Sequence, residues 1–183
     1  MRSQELRKQA PELDPLRLGT GWKMEDLAKP QILIESSFGD SHPGSVHLLE
    51  LAEKAKEGAA REGGYGARYF CTDICDGEAQ GHDGMNYSLP SRDMMANMIE
   101  IHACATPFDG AVYIAGCDKS MPAHLMAAGR INIPCVVLPG GVMNAGPDLL
   151  TLEQIGAYSA MFERGEISEE QFHFYQAHAC PSC

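Results

Sequence analysis

The chain has 183 residues, of which 14 are Lys or Arg and 25 are Asp or Glu, so its formal charge at pH 7 is −11. Hydrophobic residues make up 44% and charged residues 21%, which is the composition of a globular protein and not of a disordered one. The acidic balance argues against non-specific nucleic-acid binding, and no apolar run approaches the roughly 20 residues that a membrane-spanning helix needs. We therefore expect no nucleic-acid or membrane partner and, since the first residues lack the apolar stretch of a signal peptide, a cytoplasmic location.

Strands and helices alternate along most of the chain. Residues 1–28 form a polar N-terminal arm, and we expect residues 29–183 to form one α/β domain. Short apolar runs predict strands at 31–36, 67–72, 111–115 and 135–138, and apolar residues at helical spacing predict helices that begin near 46, 91, 122 and 151. Ser45 and Ser168 are candidate helix N-caps. Nearly continuous apolar strands between helices predict a mostly parallel sheet with helices on both faces.

Residues capable of chemistry are concentrated in the loops that follow the predicted strands. These loops span 36–44, 73–88, 116–121 and 139–146, and they contain Cys, Asp, His and Gly residues that would be out of place in a core. In open α/β sheets, ligands bind at the carboxyl ends of the strands. The sequence therefore predicts a ligand or metal site at that edge of the sheet.

Three reactive side chains directly follow the third predicted strand, at Cys117, Asp118 and Lys119. The Cys117 thiol could bind iron or zinc, and the Asp118 carboxylate could bind magnesium. The Lys119 ammonium cannot coordinate a metal, but capture of carbon dioxide would convert its amine into a carbamate with carboxylate-like oxygens. The alternative interpretation is structural: Asp118 and Lys119 form a local ion pair beside a half-buried cysteine.

Seven cysteines occur in a chain with no export signal, so metal ligation, reactivity or core packing is expected for them rather than disulfide bonding. The C-x3-C pair of Cys71 and Cys75 and the C-x2-C pair at 180–183 could together form a four-cysteine zinc site. Cys104 and Cys135 are expected to be small buried apolar residues.

The histidines fall into two groups. His42 and His47 flank a loop–helix junction at a strand end, where ligand contact and a structural role are both open. His102 and His124 lie on predicted helices, and we expect core or surface roles for them. The chain lacks a nucleophile elbow with a Ser/His/Asp order and a dinucleotide or P-loop fingerprint, so neither that hydrolase chemistry nor nucleotide binding is indicated.

A series of ordered motifs extends from about residue 16 to the end of the chain. They are KPQI at 29–32, PGSVHL at 43–48, CDGEAQGHDGM at 75–85, YSLPSR at 87–92, CDKSMP at 117–122, NIP at 132–134 with PGG at 139–141, and ACPSC at 179–183. With these motifs the chain resembles the dihydroxy-acid dehydratase / phosphogluconate dehydratase family, the iron–sulfur lyases that also include aldonic-acid dehydratases.

The resemblance implies a hydro-lyase that removes water from a 2,3-dihydroxy carboxylate and yields a 2-keto acid. It implies an iron–sulfur cluster, of 2Fe–2S or 4Fe–4S type, that takes the departing 3-hydroxyl, and a Mg²⁺ ion that holds the carboxylate and the 2-hydroxyl. By position, Cys117 matches a cluster ligand. Asp76 and Asp118 match magnesium ligands, and Lys119 matches the carbamylated lysine that completes that shell.

The chain departs from the family pattern in two places. Members with three-cysteine 2Fe–2S sites carry a cysteine where this chain has Gly44, whereas other members carry glycine there and are expected to hold a 4Fe–4S cluster. Cys75 resembles the phosphogluconate branch and is a candidate substitute ligand. The cysteine pattern stops at Cys183, before its last member, and the second domain with the proposed serine base is absent. We therefore expect the N-terminal portion of a longer enzyme, without a catalytic base of its own and inactive alone.

The substrate stays open between two branches of the family. The stretches 87–92 and 132–134 favour a dihydroxy-acid dehydratase of branched-chain amino-acid biosynthesis, whereas Cys75, Glu78 and Gln80 favour a sugar-acid dehydratase. The expected partners are a small dihydroxy or sugar acid and, in the full-length protein, further copies in a homodimer or higher oligomer. The alternative from another class is a non-catalytic remnant with at most a structural zinc site.

Overall fold

Four parallel strands form the central sheet of the computed structural model, which describes residues 1–106 and 108–181. The strands are β1 (Gln31–Ser36), β2 (Tyr65–Phe70), β3 (Gly110–Ala115) and β4 (Cys135–Pro139). Their order is β2-β1-β3-β4, so β1 lies between β2 and β3. The predicted α/β fold is confirmed, and β2 begins at Tyr65, earlier than its apolar run indicated.

The helices connect and follow these strands. Within the described residues they are α1 (Arg2–Gln9), α2 (Leu13–Gly19), α3 (Leu48–Arg61), α4 (Asp76–Ala79), α5 (Ser88–Ala105), α6 (Ser120–Ile131), α7 (Ile155–Glu163) and α8 (Glu169–His178). Short 3-10 turns lie at Asp26–Ala28, Asp83–Tyr87, Pro147–Leu149 and Leu152–Gln154.

Both faces of the sheet are covered by helices, as predicted. On one face, Leu48 and Ala52 of α3 pack with Ile34 and Ile114. On the other face, α5 and α6 contribute the larger cluster, which contains Leu33, Ile99, Ala103, Ala111, Tyr113, Ala127 and Ile131. Leu33 and Ile34 belong to different clusters because successive strand residues point to opposite faces.

One predicted helix cap is confirmed and another is wrong. Ser168 caps α8 through a reciprocal pair of hydrogen bonds with Gln171. Ser45 does not cap α3, which begins at Leu48 with His47 at the N-cap position and no side-chain cap. The Ser45 hydroxyl instead donates to the Gly39 carbonyl, at 2.8 Å, and also lies 3.2 Å from the His42 ring. The loop between β1 and α3 therefore uses this serine for its own shape.

The N-terminal residues are fixed to the sheet through Asp109, which directly precedes β3. One Asp109 carboxylate oxygen accepts a hydrogen bond from the Ser3 backbone at 2.9 Å. The other accepts bonds from the Ser3 hydroxyl at 2.6 Å and from the Gln31 backbone at 2.9 Å. These donors hold the pKa of Asp109 below its ordinary value, although partial burial acts in the opposite direction. Ser3 and Gln31 are fully buried, so their donors depend on this carboxylate.

Replacing this carboxylate is expected to lower the stability of the chain. Because Asp109→Ala leaves buried donors without an acceptor, we expect the free energy of unfolding in urea to fall by about 2 kcal/mol. Asp93→Ala is a matched control, since Asp93 makes a surface ion pair with Arg92, and we expect a change within about 0.5 kcal/mol. Equal losses in the two variants would contradict the role assigned to Asp109.

The chain divides into two compact units, residues 1–140 and 141–183. In the second unit, α7 and α8 stack aromatic side chains, with Tyr158 against Tyr175 at 3.9 Å between ring centres.

The expectation that Cys104 and Cys135 are buried is wrong, because both are exposed on the first unit. Among the described helices, none combines the length and the apolar character that crossing a bilayer requires.

Candidate functional site

The loops after β1, β2 and β3 lie side by side because these three strands are neighbours in the sheet. The order of the strands reverses between β1 and β3, which is where open α/β sheets bind their ligands. The backbones of the first and third loops are in close contact, since a Cβ atom on Gly116 would overlap the Gly44 carbonyl group. Glycine at 116 therefore permits an approach that no other residue allows.

One group of potential metal ligands occupies this junction. His42, Asp73 and Cys117 each offer one ligand atom, and these atoms all lie within 4.8 Å of one another. The three residues come from three different loops. His42 and Asp73 are buried, at 4% and 7% exposure, while Cys117 is half-buried. Among the described residues, no other group of three or more Cys, His, Asp or Glu side chains brings its ligand atoms this close together.

Hydrogen bonds position the His42 ring on one side only. Its Nε2 atom lies 2.8 Å from Asp73 Oδ1 and 3.2 Å from the Ser45 hydroxyl. Its Nδ1 atom is buried and has no hydrogen-bond partner among the described residues, and the same is true of Asp73 Oδ2. Such buried polar atoms are uncommon and call for a ligand, water or ion.

A second group of charged side chains surrounds the amine of Lys119. This amine lies 2.8 Å from Asp76 Oδ1 and 3.9 Å from Asp118 Oδ1, and it donates a hydrogen bond to the Ile74 carbonyl at 2.6 Å. Lys119 is 3% exposed, whereas the Asp118 side chain is 80% exposed. The structure therefore brings together the three residues that the family resemblance assigns to magnesium, with the lysine between two carboxylates.

The charges within this second group stabilise one another. Burial alone would lower the pKa of Lys119, but Asp76 and the other nearby acidic groups outweigh it and hold that pKa above its usual value. Burial alone would raise the pKa of Asp76, but Lys119 and the Ser88 hydroxyl, which donates at 2.9 Å, hold that pKa below its usual value. The ammonium of Lys119 therefore balances the negative charge of the Asp76 carboxylate.

A cavity of about 420 Å³ opens beside the group formed by His42, Asp73 and Cys117. Asp73 and Cys75 lie in its wall, and the remaining lining residues are Ser41, Ile74, Glu78, Ala79, His82, Gly84 and Tyr87. This volume lies in the range of pockets that hold small organic molecules. Cys75, which the sequence offered as a substitute cluster ligand, lines the cavity and is not part of the His42 group.

The remaining predicted residues lie in several places. Cys71 is held against the Met95 carbonyl, and burial raises the pKa of its thiol to about 12. Cys183 lies outside the described residues, so the four-cysteine zinc site stays a prediction. His47 contacts the Gly140 carbonyl at 2.9 Å, and the predicted core or surface roles of His102 and His124 agree with contacts to Glu35 and to the Ser120 carbonyl.

Sequence reasoning did not single out Asp73. It lies three residues after β2 and three before Asp76, and the motif at 75–85 directs attention to Asp76 instead. The signal that identifies Asp73 is spatial, because β1 and β2 are adjacent and the loops after them meet.

Comparison with known proteins agrees with the motifs. The family model described as the N-terminal part of dihydroxy-acid/6-phosphogluconate dehydratase matches residues 29–183. A dihydroxy-acid dehydratase of Dehalococcoides mccartyi strain CBDB1 is 40% identical over 194 residues, which cover 100% of this chain and 35% of that protein. Those of Caldanaerobacter subterraneus and Pyrococcus abyssi are each 42% identical, over 100% and 87% of this chain and 34% and 29% of their own lengths. The chain thus spans about a third of the length of these curated relatives.

Proposed function

This chain belongs to the dihydroxy-acid/6-phosphogluconate dehydratase family, and from that premise we propose that it forms the metal-binding part of a hydro-lyase. The proposed reaction removes water from a 2,3-dihydroxy carboxylate and yields a 2-keto acid. The relatives compared above carry the name dihydroxy-acid dehydratase, which favours a dihydroxy acid over a sugar acid as substrate. A cytoplasmic location, a place in branched-chain amino-acid biosynthesis and a homo-oligomeric state belong to the same proposal.

One observation carries the proposal. Cys117 and Lys119 lie on a single loop, and each meets a different set of side chains from the neighbouring loops. The first set, with a thiol and an imidazole, suits iron, whereas the second set, with carboxylates, suits magnesium. A dehydratase of the proposed kind needs both types of metal within reach of one small substrate, and the cavity with Asp73 and Cys75 in its wall offers space for a small molecule beside the first set.

The donor atoms fit the two proposed cofactors. For an iron–sulfur cluster, Cys117 offers its sulfur from the loop that leads into α6, two residues before the N-cap Lys119. For Mg²⁺, Asp76 and Asp118 offer carboxylate oxygens, and Lys119 as a carbamate would add further oxygens. When bound, the iron supplies a Lewis acid for the departing hydroxyl, and Mg²⁺ stabilises the negative charge that develops on the substrate.

The residues of this chain bind and orient, and none of them is proposed as the proton-abstracting base. Asp76 is held by Ser88 and Lys119, so its carboxylate keeps a defined orientation. The buried amine of Lys119 lies between Asp76 and the Ile74 carbonyl, which fixes the position at which a carbamate would form.

An anaerobic preparation tests the proposed function. The protein that carries this chain is expected to contain iron and acid-labile sulfide and to show broad visible charge-transfer absorption. With Mg²⁺ present, we expect it to convert 2,3-dihydroxy-3-methylbutanoate into the corresponding 2-keto acid faster than it dehydrates gluconate. Protein without iron and sulfide that forms no keto acid would overturn the proposal, and faster turnover of gluconate would move the substrate to the sugar acids.

Removing the half-buried Asp76 carboxylate of the second group is expected to weaken divalent-metal binding. Because Asp76→Asn deletes a charged oxygen ligand, we expect the dissociation constant for Mn²⁺, used as a paramagnetic substitute for Mg²⁺, to rise by at least about 10-fold. Titration followed by electron paramagnetic resonance measures it. Asp93→Asn, on the surface of α5, should bind Mn²⁺ as the parent does. Unchanged affinity in Asp76→Asn would remove this residue from the proposed magnesium site.

A further inference from the structure

We propose that His42 is an iron ligand beside Cys117, bonded through Nδ1 and oriented by Asp73. This inference rests on the proposed function for the identity of the metal cofactor. Family members with three-cysteine sites carry one cluster ligand at position 44, where this chain has glycine. We assign the role of that missing thiol to His42. The assignment also explains why a buried His–Asp pair lies beside Cys117.

The hydrogen-bond network determines which ring nitrogen is available. The Ser45 hydroxyl donates its proton to the Gly39 carbonyl at 2.8 Å, so it can only accept from the His42 ring. Asp73 Oδ1, at 2.8 Å from the same Nε2 atom, also accepts. Two acceptors at Nε2 require a proton there, and a neutral imidazole then carries its lone pair on Nδ1. In the neutral tautomer that this network favours, Nδ1 is therefore the nitrogen available to a metal.

The position of Nδ1 matches that of a ligand to a shared metal. A Cβ atom on Gly44 would lie 3.2 Å from Nδ1 and 2.6 Å from the Cys117 sulfur, so both atoms face the same small space. Glycine keeps that space open. Nδ1 is buried without a hydrogen-bond partner among the described residues, which a metal bond would correct. Metal bonds of about 2.0–2.3 Å to nitrogen and sulfur are within reach of a small side-chain movement.

Asp73 has the position expected of a partner to a metal-bound histidine. Metal-binding histidines almost always donate their other ring N–H to a carboxylate, carbonyl or water, which fixes the ring and increases its basicity. Asp73 Oδ1 accepts from the nitrogen opposite to Nδ1, and both side chains are almost completely buried. Asp73 is therefore a positioning residue, and His42 and Cys117 are the ligands.

Cobalt binding tests the site without requiring a cluster. Co²⁺ added to the reduced chain under argon is expected to give sulfur-to-cobalt charge-transfer absorption in the near ultraviolet. We expect Asp73→Asn to weaken Co²⁺ binding by roughly 10–100-fold, and His42→Ala to weaken it at least as much. His42→Cys should restore binding with stronger charge transfer. His173→Gln, an exposed position on α8, serves as the matched control and should bind as the parent does. Circular dichroism confirms that each variant is folded.

Pulsed electron paramagnetic resonance tests the same ligand on the cluster. In the dithionite-reduced protein, we expect strong nitrogen hyperfine coupling that changes with ¹⁵N-histidine labelling, persists in His173→Gln and disappears in His42→Cys while iron is retained. A cluster without nitrogen coupling, together with unchanged Co²⁺ affinity in His42→Ala, would overturn the inference and leave the proposed function intact. Co²⁺ binding that depends on His42, in protein that takes up no iron and sulfide, would overturn the proposed function and the assignment of iron, and would leave His42 and Cys117 as ligands of a different metal. Failure of both measurements would overturn both.

Discussion

Cys117→Ala is expected to abolish both cluster absorption and dehydration in the protein that carries this chain. Cys117 provides the thiol of the group that it forms with His42 and Asp73. We expect that His42 and Asp73 alone do not retain iron. A metal acting as a Lewis acid contributes several kcal/mol to the rate, and each 1.36 kcal/mol corresponds to a factor of ten. We therefore expect the rate of keto-acid formation to fall at least about 10³-fold, together with loss of iron and sulfide.

The control for this experiment is Cys104→Ala, because Cys104 is an exposed cysteine on α5, away from the strand-end loops. This variant should keep the iron content, visible spectrum and activity of the parent. Iron and sulfide at parental levels in Cys117→Ala would show that the cluster is held elsewhere. The assignment of the first ligand group to iron would then be wrong.

Gly116→Ala is expected to destabilise the chain more than Asp109→Ala does. The added methyl group would overlap the backbone carbonyl of Gly44, and a backbone atom cannot move aside as a flexible side chain can. Overpacking typically costs about 1–3 kcal/mol, and we expect this variant to lie near 3 kcal/mol. Because the loops after β1 and β3 must separate, Co²⁺ binding should be lost as well. Urea unfolding monitored by circular dichroism measures the stability.

Gly129→Ala is the matched control for this prediction. Gly129 lies inside α6, and a methyl group there would meet no atom within 4 Å. Alanine favours the helix over glycine, so we expect a gain of about 0.5–1 kcal/mol and unchanged Co²⁺ binding. If Gly116→Ala were as stable as Gly129→Ala, the close contact between the two loops would not exist.

The strands of the sheet could be predicted because buried parallel strands produce short continuous apolar runs. The apolar runs at 111–115 and 135–138 predict β3 and β4 to within one residue at each end. Burial was harder to predict. Cys135 lies on β4, at an edge of the described sheet, and Cys104 lies on the exposed side of α5, so both are in solvent contact despite their apolar character. The apolar pattern of a segment does not determine which of its neighbours cover it.

The site could be predicted only in part, for a similar reason. The family resemblance assigned Asp76, Asp118 and Lys119 to one cofactor, and the structure brings these three together. His42 and Asp73 form a pair only because β1 and β2 are adjacent, and the order of strands in a sheet is not encoded in any one segment. Ser45 was assigned to the helix because its sequence position resembles a cap, whereas its hydroxyl serves the loop.

The arrangement of His42, Asp73 and Cys117 has a consequence for how the protein matures. Its three members follow three different strands, so none of them can meet before the parallel strands have paired. Such pairing joins distant segments and is slow to form. Metal capture should therefore be among the last events of folding, and a bound metal should slow unfolding because it stabilises only the native state. Until then the thiol of Cys117 stays accessible to oxidants, which makes oxygen exposure most damaging during synthesis.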